Sequence, residues 1–192
     1  MGMHLSTLFT ARLDLVPLTL PIAEAVLLEQ RERTQELLGA RLPAAWPGRA
    51  LVERAFAISL DDIRRAPESR LWGNRVMLTR GAERRIVGSV IFHGAPGPSG
   101  VVEIAYGVEH ESQMKGYAKE AVIASVEWAL TMPGPTAVRA TTMPFHIASR
   151  RVLDRAGFAV VGTEPSEMFG ELLLYERNAH ASTVLSSGAA AG

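Results

Sequence analysis

The chain contains no cysteine, which removes disulfide bonds, thiolate metal sites and a cysteine nucleophile from its possible chemistry. It has no surplus of either charge, since Lys and Arg together number 20 and so do Asp and Glu. A nucleic-acid partner is therefore not expected, because sequence-independent phosphate binding needs a clustered positive excess. No run approaches the ~18 to 20 apolar residues that span a bilayer, and no basic segment precedes a long apolar core at the N-terminus. The expectations are no membrane association and a cytoplasmic location. His4, His93, His110, His146 and His180 show no recognisable ligand spacing, so no metal is expected. Neither G-x-x-x-x-G-K-S/T nor G-x-G-x-x-G occurs, which counts against a nucleotide-binding loop of either kind.

What is present is an ordinary globular composition, 47% hydrophobic and 21% charged over 192 residues, enough for one domain with a real core. Leu8 to Leu18 alternates apolar and polar and predicts a first strand. Ile22 to Leu38 has helical spacing, with Gly39 as its stop, and Arg49 to Arg65 predicts a further helix ending before Pro67. Between them Arg41 to Gly48 is a proline-bounded loop carrying Trp46. From Leu71 the pattern changes to short β-rich runs separated by Gly81 to Arg84 and Gly94 to Gly100, an antiparallel meander. Its last strand, Val101 to Val108, leads through a turn into a helix running to Thr131. Ala137 to Met143 then predicts a strand parallel to the meander's last, since a strand, helix, strand succession makes a right-handed crossover. Ile147 to Ala156 predicts a helix with Ala148, Val152, Leu153 and Ala156 inward and Gly157 as its cap. Phe158 to Gly162 and Met168 to Arg177 complete a pair of strands. Residues 179–192 are rich in Ser, Ala and Gly and are expected to be a disordered tail after a single domain, residues 1–178.

The stretch with most chemical content is Gln113-Met114-Lys115-Gly116-Tyr117-Ala118, between the last meander strand and its helix. The first N–H groups of a helix lack intrahelical partners and carry partial positive charge, and Gly116 and Ala118 leave the backbone open to a phosphate. Lys115 adds a full charge. By itself the hexapeptide suits an ordinary strand, turn and helix equally well. A second stretch follows at the expected distance, Pro144-Phe145-His146-Ile147-Ala148-Ser149-Arg150-Arg151-Val152-Leu153 with Gly157-Phe158.

Together these stretches and the order of elements resemble the GNAT superfamily of acyl-coenzyme A-dependent N-acyltransferases, in the branch that includes ribosomal-protein N-terminal acetyltransferases. Gln113 to Ala118 matches that superfamily's Q/R-x-x-G-x-G/A pyrophosphate loop at every specified position. The later stretch matches N-x-A-S-x-x-V-L-x-x-x-G-F except that His146 stands where asparagine is usual. The resemblance implies an α+β (α/β) GNAT fold: a mixed central sheet of about six to seven strands, an antiparallel N-terminal meander, a splayed parallel central pair and flanking helices.

It further implies acetyl-CoA as donor and an amine acceptor, either a small molecule or a protein N-terminus, on a monomer or homodimer. The coenzyme would be held by Tyr106, Val108, Gln113, Met114, Lys115, Gly116, Tyr117, Ala118, His146 and Ser149. With no cysteine, direct transfer in a ternary complex is favoured over an acyl-enzyme. Glu103 matches a position that often carries the base, and its alternative is a solvated strand carboxylate. The superfamily often places a tyrosine on the later helix to serve the leaving thiolate. Ser149 is the hydroxyl available on this one, as a partner of the thiol or simply of the helix backbone. Tyr106 and Tyr117 are expected to pack, as are Trp46, Trp72 and Trp128. His146 is expected to bond locally at the helix start, its alternatives being a base for proton transfer near neutrality or a sign of eroded catalysis. A different class remains open, a module of the same fold that binds acyl-coenzyme A without catalysis, and so do longer acyl donors.

Overall fold

In the computed structural model, which describes residues 6–47 and 60–179, one eight-stranded mixed sheet runs in the order β1-β2-β3-β4-β5-β6-β8-β7. The strands are β1 (Leu8–Phe9), β2 (Leu13–Pro17), β3 (Arg75–Thr79), β4 (Ile86–Phe92), β5 (Val101–Val108), β6 (Ala137–Thr142), β7 (Ala159–Ser166) and β8 (Gly170–Asn178). The helices are α1 (Leu20–Leu27), α2 (Arg31–Leu38), α3 (Leu60–Arg65), α4 (Pro67–Arg70), α5 (Tyr117–Thr131) and α6 (Ile147–Arg155).

The expected meander is present, with β2 to β5 paired antiparallel and β5 paired parallel to β6. The sheet has more strands than six or seven, in part because the first predicted strand is two. Thr10 breaks it: its N–H donates to the Leu13 carbonyl and its hydroxyl accepts from the Leu13 N–H, so the chain folds back and Leu8 lies opposite Leu15. The long helix predicted from Ile22 to Leu38 is also two, α1 and α2. Glu29 takes a positive φ of 56°, and the Gln30 N–H reaches back to the Ala25 carbonyl, which ends one helix before the next begins. Of the helix predicted from Arg49 to Arg65, only α3 falls within the described residues. Asn178 belongs to β8, opposite Ala137, and residues 180–192 lie outside the described set.

Strand alternation sends side chains into two cores. Leu13, Leu15, Met77, Val90, Phe92, Val102, Ile104, Val138 and Ala140 pack with Val122 and Val126 of α5 and Leu153 of α6. Val76, Leu78, Ile86 and Ile91 pack on the other face with Ile22 and Val26 of α1, Leu38 of α2 and Ile63 of α3. Among the described residues, this second core takes in no residue of β5 to β8. Among the described residues, that face is covered at the N-terminal half of the sheet by α1, α2 and α3.

The three tryptophans anchor as expected. Trp46 and Trp72 are buried, and Trp72 meets Phe92 edge to face at 5.1 Å and Trp128 at 5.0 Å. Beneath them Arg75 is wholly buried, with its guanidinium 3.9 Å from the Trp128 ring and Nη1 donating to the Gly73 carbonyl. Burial pushes its pKa down to about 10, which still leaves a cation at neutral pH, stabilised by the indole face rather than by a carboxylate.

Candidate active site

Strand β5 has two unlike edges. Along β4 it is bonded throughout, from Ile104 opposite Phe92 to Val108 opposite Gly88. Along β6 the pairing covers only Val101 to Glu103, and beyond Glu103 the two strands splay. The His93 N–H donates to the Glu103 carbonyl and the Glu109 N–H to the Val87 carbonyl. Odd-numbered residues of β5 therefore direct their N–H and C=O groups at β4, and alternation turns those of Ile104, Tyr106 and Val108 toward the gap. This edge is an unpaired strand margin inside the protein, with backbone donors from Tyr106 and Val108 facing the space between β5 and β6.

At the end of that margin the chain turns through Gln113 to Ala118. Gln113 donates its side-chain amide to the Val108 carbonyl, which ties the turn to the strand. Gly116 is the N-cap of α5 at φ 84°, a left-handed conformation that a side chain would strain. Among the described residues, the N–H groups of Met114, Lys115, Gly116, Tyr117, Ala118 and Lys119 find no protein acceptor. The Met114 side chain is 94% exposed, so this residue offers the site only its backbone. Unsatisfied donors at the start of a four-turn helix suit the pyrophosphate of a coenzyme, and the Arg12 Nη2 lies 3.3 Å from where a Gly116 Cβ would stand.

Across the gap stands the first turn of α6. His146 is its N-cap and accepts the Ser149 N–H at Nδ1, 3.0 Å away. The imidazole thereby does the capping work of an asparagine oxygen, as the sequence led one to expect of a residue that bonds locally. The Tyr106 hydroxyl lies 2.9 Å from Ser149 Oγ and donates to the Ser149 carbonyl at 3.1 Å. Burial pushes the Tyr106 phenol up to about 12. Tyr106, Ser149 and His146 thus form one network linking β5 to α6. Ala148, expected to face inward, is exposed, because the start of α6 stands over the gap while Leu153 and Ala156 reach the core.

Glu103 is on the opposite face. It pairs with His93, two residues beyond Ile91 of the second core, and neighbours Arg139 on β6. Its carboxylate lies 3.3 Å from His93 Nδ1 and is 44% exposed. The hydrogen bond to His93 holds its pKa below the usual carboxylate range despite partial burial, so it is ionised at neutral pH. Arg139 is bound to Glu176 of β8 at 2.6 Å, so the exposed face beside Glu103 is a charged row running across the sheet. Glu103 and Ser149 do not touch. They flank the last paired residues of the seam from its two sides.

Sequence reasoning missed three participants. His93 could have been found from the cross-strand register once the meander's hairpin was drawn. Tyr106 was expected to help hold the coenzyme and its ring to pack, and what went unforeseen is the bond of its hydroxyl to Ser149. Arg12 gave no signal at all, since it reaches the turn across a hundred residues of sequence, where its Nη1 donates to the Lys115 carbonyl at 2.8 Å. A cavity lined by Arg41, Leu42, Pro43, Glu83 and Arg85 lies elsewhere. Arg85 there is engaged by Glu109 and Glu111, and nothing in its lining offers a nucleophile. Among the described residues there is no metal-binding cluster and no helix long and apolar enough to cross a membrane.

The chain is similar to known proteins in sequence and in fold. An uncharacterized N-acetyltransferase, YjdG of Bacillus subtilis, is 24% identical over 149 residues, 78% of this chain and 87% of that protein. The ribosomal-protein-S5-alanine acetyltransferase of Vibrio fischeri superposes with a TM-score of 0.64 at 16% identity, covering 92% of this chain and 98% of that one. The microcin C7 self-immunity acetyltransferase MccE, solved with acetyl-CoA and AMP, gives 0.55 at 16% identity over 88% of this chain and 93% of its own. The family model for the acetyltransferase (GNAT) domain matches residues 12–159, from the turn after β1 to the start of β7, and thus spans the splayed strands, the anion turn and α6. The chain belongs to the GNAT acetyltransferase family.

Proposed function

We propose that the protein transfers an acetyl group from acetyl-CoA directly to a primary amine, a protein N-terminus or a small-molecule amine, within a ternary complex. The observation that carries this reading is the open margin of β5, whose free donors at Tyr106 and Val108 lead straight to the unsatisfied N–H groups of the Gln113 to Ala118 turn. The turn binds the donor's pyrophosphate, and the strand margin aligns the pantetheine arm in the gap. The N–H of Tyr106 or Val108 donates to the thioester oxygen, where negative charge grows as the amine attacks.

Glu103, ionised and at the apex of the gap, accepts the proton that the attacking nitrogen must lose. The C–N bond forms, the C–S bond breaks, and the electron pair leaves on sulfur. With its pKa at about 12, the Tyr106 phenol stays protonated, so the departing thiolate is met by a hydrogen bond, the Ser149 hydroxyl turning from Tyr106 to sulfur, rather than by a proton given up. A thiol whose pKa is about 8.5 needs little more than that. His146, the one departure from the family pattern, has an ordinary capping task and is no sign of lost catalysis. That weighs against a binding module without turnover.

The test is calorimetric titration with acetyl-CoA, with adenosine diphosphate as the control for pyrophosphate alone, followed by assays of thiol release with a panel of amines. Replacing Gly116 with valine should weaken donor binding by at least about tenfold, since strain and bulk arrive together. Failure to bind at millimolar acetyl-CoA, an affinity of only about 4 kcal/mol, would sink the reading.

A further inference from the structure

Arg12 sits in the turn between β1 and β2, where its carbonyl accepts the Arg80 N–H, yet its side chain reaches the turn before α5 and the first turns of that helix. Its backbone N–H donates to Glu120 Oε1 at 2.8 Å, its Nε to Glu120 Oε2 at 2.8 Å, and its Nη2 lies 2.7 Å from the same oxygen. Thr10 adds a hydroxyl bond to Glu120 Oε1 at 2.6 Å. The guanidinium lies over the Tyr117 ring, 4.9 Å from its centre. Its remaining arm, Nη1, holds the Lys115 carbonyl.

That last bond fixes a peptide plane. In a trans peptide the C=O of one residue and the N–H of the next point in opposite directions. With the Lys115 carbonyl drawn to Arg12, the Gly116 N–H is turned away from it, outward at the centre of the anion turn. Glycine at 116, with no Cβ to resist rotation, would otherwise let this plane turn over with little resistance. Glu120 has only 15% of its side chain exposed and is held by the Thr10 hydroxyl and by the backbone and guanidinium of Arg12, so the arginine that grips the plane is itself gripped.

We propose that Arg12 is a positioning residue for donor binding: with Glu120 it latches the Lys115–Gly116 peptide so that the Gly116 N–H faces the pyrophosphate. The proposal rests on the reading of the turn as the pyrophosphate site. It makes the β1–β2 turn part of the binding machinery although it lies far away in sequence.

Two variants separate the latch from simple attraction between a cation and an anion. Arg12→Lys keeps the charge but cannot bridge Glu120 and the Lys115 carbonyl together. Glu120→Gln removes a negative charge beside the site, which attraction alone would reward with tighter binding. The latch requires that both weaken acetyl-CoA in calorimetry, Arg12→Lys by about tenfold or more, the worth of a charge-assisted hydrogen bond. It also requires that the Gly116 amide resonance shift or broaden in both variants before any ligand is added. A role in general stability would lower the melting temperature and leave that resonance in place. Full affinity in Arg12→Lys, or tighter binding in Glu120→Gln, overturns the latch. If the wild-type protein binds no acetyl-CoA, the assignment of the turn falls, and the unliganded Gly116 resonance still reports whether Arg12 holds the plane.

Discussion

The two seams of β5 use the same strand in opposite ways. Toward β4 the ladder runs unbroken from Ile104 to Val108, and the strands approach so closely that a Cβ at Gly88 would lie 2.2 Å from the Gly107 carbonyl oxygen. Toward β6 the ladder stops after Glu103, and the unspent backbone donors of Tyr106 and Val108 become available to something else. A sheet interior normally leaves no such groups unpaired, since each buried one costs about 1 to 3 kcal/mol. The closed seam supplies the rigidity that lets the open one hold its shape without a partner strand. The first seam is spent on the fold, and the second leaves its donors unspent.

The largest expected effect breaks the closed seam. Gly88→Val places side chain where the Gly107 backbone already is, and backbone cannot yield as a side-chain tip does. Unfolding in denaturant should show a loss of about 3 kcal/mol or more, and a loss under 1 kcal/mol would mean that the strands can part and that the contrast between seams is overstated. Next comes the apex of the open seam. Glu103→Gln should lower turnover by about a hundredfold, ~2.7 kcal/mol of transition-state stabilisation, with calorimetric affinity for acetyl-CoA within about twofold of wild type. Unchanged turnover would remove Glu103 from the mechanism and leave it as a partner of His93.

The smallest effect lies at the mouth of the open seam. Burial alone would raise the Glu120 pKa, but the hydrogen bonds from Thr10 and Arg12 outweigh it and hold the carboxyl below its usual value. A carboxyl depressed in the folded state stabilises it above the unfolded pKa, about 4.3, and loses that contribution as pH falls through the folded value. Glu120→Gln should therefore cost about 1 kcal/mol at pH 7, kept modest because Arg12 is half-exposed. The gap between variant and wild type should close in melts taken progressively below pH 4. A gap that stayed constant with pH would assign the contribution to packing.

Much of this was legible in the chain. The turn at Gln113 to Ala118, the strand before it and the helix after it are contiguous, so their chemistry depends on local spacing, and the same holds for the cap at His146. The splay of β5 from β6 was implied only by the family resemblance, because nothing in Val101 to Val108 or in Ala137 to Thr142 says where a ladder ends. The errors came where local signals were weak: the alternation from Leu8 to Leu18 continues through Thr10, and the helical spacing from Ile22 to Leu38 continues through Glu29. In both places a bond to a nearby carbonyl broke the element without disturbing the pattern.

By itself the sequence determined which segment would present unsatisfied N–H groups at a helix start, and the lack of cysteine determined that no acyl-cysteine could form. These follow from residue inventory and short-range geometry. Only the tertiary structure decided that Glu103 lies on the face away from α5 and α6, paired with His93, and that Tyr106 meets Ser149 at the gap. It alone brought Arg12 from the first turn of the chain to the Lys115 carbonyl. A strand's alternation states that neighbours face opposite ways, but which way is which is set by the helices that bury one face, and those are distant in sequence.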